Sequence, residues 1–166
     1  HKELTVIGSQ FPIRMTTLVD EIMDHVQTGD IICIEGFGFS SQQAIQLGGI
    51  GWGVRMALYR KGFKYFEVAP MALKKFAGAT GNKGPDGKAV KADKIEVAKQ
   101  VLKRWGYESG SDNVTDAFVL AKIAEGICMQ SSDDLQHGYH QFQLEVLSSV
   151  LNPPGKKKKT RKKVAK

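Results

Sequence analysis

Hydrophobic and polar positions along the chain change period several times, and each change marks an element. "ELTVIG", residues 3–8, is a short β-like run. "RMTTLVDEIMDHV" then sets Leu18, Ile22, Met23 and Val26 on one side of an amphipathic helix. In "TGDIICIEGFGF" the run from Ile31 to Ile34 is unbroken and apolar, which predicts a strand buried on both faces. Glu35 ends that strand, and Gly36 and Gly38 free the backbone just beyond it. "SSQQAIQLGGIGWGVRMALYRKG" predicts a helix starting near Ser40 or Ser41 and packing closely through Gly48, Gly49, Gly51 and Gly53. "FKYFEVAP" is a further strand, stopped by Pro70, and "MALKKFAG" suits a short helix or turn.

The second half is more helical. "ATGNKGPDGKAVKA" is a loop rich in glycine and lysine, long enough to suggest function or disorder. "DKIEVAKQVLKRWG" is a helix with Asp93 as its N-cap and Gly106 as its stop. "TDAFVLAKIAEGICMQS" is a strongly apolar helix, whereas "YHQFQLEVLSSVL" fits either a last strand or a helix. Strands alternating with helices predict one α/β domain over residues 1–152, with at least part of its sheet parallel. Residues 153–166 form a basic tail expected to be disordered.

Charge modifies this picture less than the total of +7 suggests. The tail "GKKKKTRKKVAK" holds eight of the 24 Lys and Arg and none of the 17 Asp and Glu, leaving 16 positive against 17 negative charges elsewhere. Any anionic partner of the domain is therefore bound by placement, not by net charge. Cys33 and Cys128 lie in apolar runs without a ligand or disulfide spacing, so both are expected to be buried thiols in a reducing compartment. Neither a signal peptide nor an eighteen-residue apolar window is present, which predicts a soluble, intracellular (cytoplasmic) protein with no membrane partner.

Candidate chemistry lies in the carboxylates. Glu35 sits at the C-terminal edge of a predicted parallel strand, where functional groups of α/β sheets collect. It can equally face water or pair with a lysine. In "GSDNVTDAFVLAK", Asp112 and Asp116 are four apart and Asn113 and Asp116 three apart, so either pair shares a helix face. An N-cap at Asp112 or Asn113 accounts for one polar residue. Asp116 is less easily explained, because the apolar run from Ala117 carries it toward burial, and a bound cation offsets the cost of a buried carboxylate.

Three segments, "IICIEGFGFSSQQAIQLGGIGWGV", "EVAPMALKKFAG" and "DNVTDAFVLAKIA", occur in an order and spacing that resembles the RuvC-like Holliday junction resolvases, a branch of the RNase H-like nucleases. The resemblance covers roughly residues 1–128. It implies an RNase H-like fold with a mixed central sheet flanked by helices, a homodimer, and cleavage of four-way DNA junctions with two magnesium or manganese ions held by four acids. Carried over position by position, the second acid is Glu35 and the fourth Asp116. The third falls on Asp112 or on Asn113, with Asp112 preferred because a carboxylate binds magnesium more strongly than an amide. The first acid, an aspartate in a segment like "GIDPG", has no match before Glu35, so the resemblance implies a domain lacking its first hairpin, either removed or encoded upstream.

The resemblance also matches Lys74 and Lys94, with Lys91 as an alternative to the latter, to lysines near the catalytic centre. Phe37 and Phe39 are candidates to stack on bases or wedge the junction, against the alternative of packing under the next helix. Lys75, Lys83, Lys88 and Lys91 are candidate phosphate contacts, against the alternative of a solvated lysine face. The glycines of residues 48–53 carry no P-loop pattern, and His25, His137 and His140 show no zinc spacing with the cysteines. Two rival readings use the same residues: a non-catalytic branched-DNA binding protein, and an RNase H-like nuclease acting on flaps or RNA–DNA hybrids.

Overall fold

The computed structural model describes residues 11–37, 44–79, 93–129 and 138–153. Their elements, in chain order, are α1 (Phe11–Asp24), β1 (Ile32–Glu35), α2 (Ala44–Arg60), β2 (Tyr65–Val68), α3 (Pro70–Ala77), α4 (Lys94–Trp105), α5 (Asp112–Cys128) and α6 (Gln141–Leu151). The chain is thus mixed α/β, and β1 and β2 pair in parallel with Ile32 opposite Tyr65 and Glu35 opposite Val68. The β1–α2–β2 segment supplies the crossover that parallel pairing requires. "ELTVIG", Phe39, the loop lysines Lys83, Lys88 and Lys91, His137 and the basic tail lie outside the described residues.

Two elements end where local chemistry dictates. The Asp93 carboxylate accepts the Glu96 backbone N–H at 2.7 Å and caps α4, and Gly106 closes that helix with φ of 64°, a left-handed conformation that glycine adopts without strain. Pro70 stops β2 but opens α3 as its first residue, a position where its missing N–H costs nothing.

The core gathers on β2 and α3 to α6. Phe76 of α3 is fully buried, stacked 6.2 Å from Trp105 of α4 and in tilted contact at 6.0 Å with Tyr139 just before α6. Gln143 is buried among these apolar groups, and its amide donates to the Phe76 carbonyl at 3.2 Å while its oxygen accepts the His140 N–H at 3.0 Å. Both ends of that amide are satisfied, which removes the penalty of burying it. Away from this core cluster α1 packs against α2, and Trp52, Met56 and Tyr59 of α2 are exposed. No helix among the described residues is long and apolar enough to cross a membrane.

Several expectations need correction. The run Ile32–Ile34 is half-buried instead of enclosed on both faces, because among the described residues only β2 flanks it. Cys128 is exposed at the end of α5 and Cys33 is half-buried, so neither is the fully enclosed thiol the apolar runs suggested. The residue at the N-cap of α5 is Ser111, not Asp112 or Asn113, both of which are already helical. The segment around "QFQLEVLSSVL" is a helix.

Candidate carboxylate site at the end of the first strand

Glu35 is the last residue of β1. The backbone turns away immediately after it, and the Gly36 N–H donates to the Val68 carbonyl at 2.8 Å, which carries the pairing with β2 one step further. α5 packs against β1. Its first turn is shaped by Thr115, whose buried hydroxyl donates to the Ser111 carbonyl at 3.0 Å. The next residue is Asp116, half-buried where the helix enters the core.

The charge of Asp116 is felt at Glu35. Glu35 is held above the ordinary carboxylate value, first by burial and then by the negative charge of Asp116, with Lys74 opposing both. Asp116 is also raised, by burial, against the pull of Lys74 and Lys94. Lys74 projects from α3 and acts on both acids, which makes it the cation common to the pair. Lys94 is the first residue of α4 and forms an ion pair with Asp112, the first residue of α5. Glu35, Asp116, Lys74 and Lys94, carried on four elements from separate parts of the chain, are thus linked electrostatically, and Asp112 joins them through its ion pair with Lys94.

The remaining candidates divide. Lys75 pairs with Glu145 of α6 at 2.6 Å and stays on the outer side of α3. The Phe37 ring lies over the Arg55 guanidinium, 4.2 Å from its carbon, and stacks 5.5 Å from Trp52, so it packs on α2 as the alternative reading held. Asn113 is exposed one position past Asp112.

Sequence inspection overlooked Arg55. It is 3% exposed, and its guanidinium donates to the Glu67 carboxylate at 2.7 Å, the Gly51 carbonyl at 3.0 Å and the Glu35 carbonyl at 3.0 Å. A single arginine in a glycine-rich helix carries no motif. The available signal was the acid Glu67 in the middle of the apolar "YFEV" strand, which calls for a partner.

Among the described residues no group of three or more His, Cys, Asp and Glu side chains is arranged to hold a metal ion. Glu35 and Asp116 are two hard oxygen donors, fewer than a dedicated protein cage for a cation supplies. Magnesium is commonly bound through one or two carboxylates, with water and substrate phosphate completing its shell. Two partly desolvated acids forced together at a strand end are a costly arrangement that such a cation relieves. No protein-family model, curated protein or solved structure matches the chain.

Proposed function

We propose that the protein is a metal-dependent endonuclease of the RuvC-like, RNase H-like type that resolves four-way DNA junctions by paired phosphodiester cleavage. The observation that carries this reading is the convergence of Glu35 and Asp116, like charges on different elements, with Lys74 and Lys94 beside them. A purely structural pair of acids at a sheet end would be expected to spread apart into water. Glu35 and Asp116 would hold a magnesium or manganese ion, which supplies Lewis-acid chemistry for hydrolysis of a phosphodiester. The charge of Lys74 opposes the upward shift of both acids and offers positive charge to an incoming phosphate. Asp112 is the third candidate ligand, and to hold a cation its carboxylate would have to give up the ion pair with Lys94.

The donors described account for one ion. A second, as in the resolvases this chain resembles, calls for a first acid, which has no match before Glu35. Paired cuts across a symmetric junction follow from two copies of such a site related by a twofold axis, and a homodimer belongs to the same proposal.

One observation favours a second reading. Lys94 already neutralises Asp112, so the site is partly compensated without metal, as a non-catalytic branched-DNA binding protein would tolerate. Glu35→Gln and Asp116→Asn distinguish the two. Under the nuclease reading each abolishes magnesium-dependent cutting of a labelled four-way junction while junction affinity stays within about threefold. Cutting by either variant at a near wild-type rate would refute the assignment of the site.

A further inference from the structure

Arg55 does not face the carboxylate pair, yet it fastens the backbone from which Glu35 projects. Its three donors reach three separate places: the Glu35 carbonyl at the end of β1, the Gly51 carbonyl on its own helix, and the Glu67 side chain on β2. The Phe37 ring covers the guanidinium from the next-but-one residue after Glu35. The chain from Glu35 to Phe37 is thereby held at both ends by a single buried side chain, while the Gly36 N–H is tied to Val68. Gly51 is part of the same device. A methyl group there would lie 2.7 Å from Phe37 Cε1 and 3.1 Å from Arg55 Nη1, so any larger residue pushes both groups out of place.

We infer that Arg55 is a positioning residue for the cation site, clamping β1 to α2 and β2 so that the Glu35 carboxylate stays beside Asp116. A lysine cannot reproduce this. It has no planar fork, and one ammonium cannot serve two carbonyls and a carboxylate in these directions. The ion pair with Glu67 alone would not require an arginine, because Glu67 is 54% exposed and can be solvated. The donation to the Glu35 carbonyl is what links this side chain to the site.

The inference rests on the proposed cation site and is tested by manganese titration of the full chain, following free Mn2+ by electron paramagnetic resonance, with urea unfolding measured in parallel. Loss of an outer partner of a metal ligand typically costs about 10- to 100-fold in metal affinity. Arg55→Met is expected to weaken Mn2+ binding by about that range while remaining folded, and Arg55→Lys to recover only part of the loss. Gly51→Ala, which favours the helix but displaces the clamp, should weaken Mn2+ binding in the same direction by about tenfold; it decides the question if Arg55→Met does not fold. Folded variants binding Mn2+ within twofold of wild type would overturn the role of Arg55 and leave the carboxylate site standing. A wild-type chain that binds no Mn2+ would overturn both.

Discussion

Replacing Asp116 by Asn should make the protein more stable without divalent cations and less stable with them. The substitution keeps the shape of the side chain and removes one of two like charges. In the metal-free protein both acids are raised, chiefly by burial, so between the ordinary carboxylate value of about 4 and the raised values the folded state binds more protons than the unfolded chain. Stability therefore falls as pH rises through the window between the ordinary carboxylate value and the raised ones. Because both side chains keep part of their surface in solvent, water screens much of the repulsion, and relief of it is worth on the order of 0.5–1 kcal/mol. A cation at tenfold its dissociation constant adds about 1.4 kcal/mol to the wild type by mass action and much less to a variant lacking one ligand. The order of stabilities thus inverts. Each kcal/mol moves the midpoint of thermal unfolding by about 2–4 °C for a chain of this size, enough to resolve by circular dichroism in EDTA and in magnesium. A variant less stable than wild type in EDTA, or a wild type indifferent to magnesium, would refute the reasoning.

Three further outcomes are expected. Gly126→Ala on α5 places a methyl 2.9 Å from Leu147 Cδ1 and 3.3 Å from Tyr139 Cζ; with Leu147 fully buried, it should lower stability by about 1–3 kcal/mol in urea titration. Burial pushes the Cys33 thiol up to about 11, so at pH 8 a thiol reagent should modify exposed Cys128 roughly tenfold or more faster than Cys33, with equal rates refuting the arrangement. Deleting residues 155–166 removes eight cationic side chains and should flatten the dependence of log affinity for DNA on log salt concentration, which an unchanged slope would contradict.

Much of this architecture is legible in the sequence where local chemistry decides it. Asp93 and Gly106 bracket α4 because a carboxylate cap and a left-handed glycine are local devices, independent of the rest of the chain. The same holds for Glu35 as the end of β1 and for the helix that carries Asp116. What the sequence conceals is non-local. The burial of Ile32 to Ile34 depends on how many strands flank β1, which an apolar run does not state. "QFQLEVLSSVL" satisfies both strand and helix patterns over a short window, and the buried Gln143, held by Phe76 and His140, is part of what settles it as a helix. Arg55 was missed for the same reason: its partners lie on β1 and β2, and only the folded chain brings them to it.

The candidate site shows the same division. Glu35 and Asp116 stand out individually as polar residues abutting apolar runs, and the resemblance to junction resolvases pairs them. Their electrostatic coupling, and the influence of Lys74 on both, come from the packing of α5 against β1 and of α3 against α5. Lys75 is one residue from Lys74 but turned to Glu145, a distinction that helical geometry makes and composition does not.

The most direct measurement incubates the full natural chain with labelled four-way junction, flap, RNA–DNA hybrid and linear duplex, in magnesium and in EDTA. Symmetric cuts confined to the four-way junction and abolished by EDTA are the expected result. Tight junction binding with no cutting in magnesium would contradict the nuclease reading and leave Glu35 and Asp116 as a charged pair on a branched-DNA binding protein.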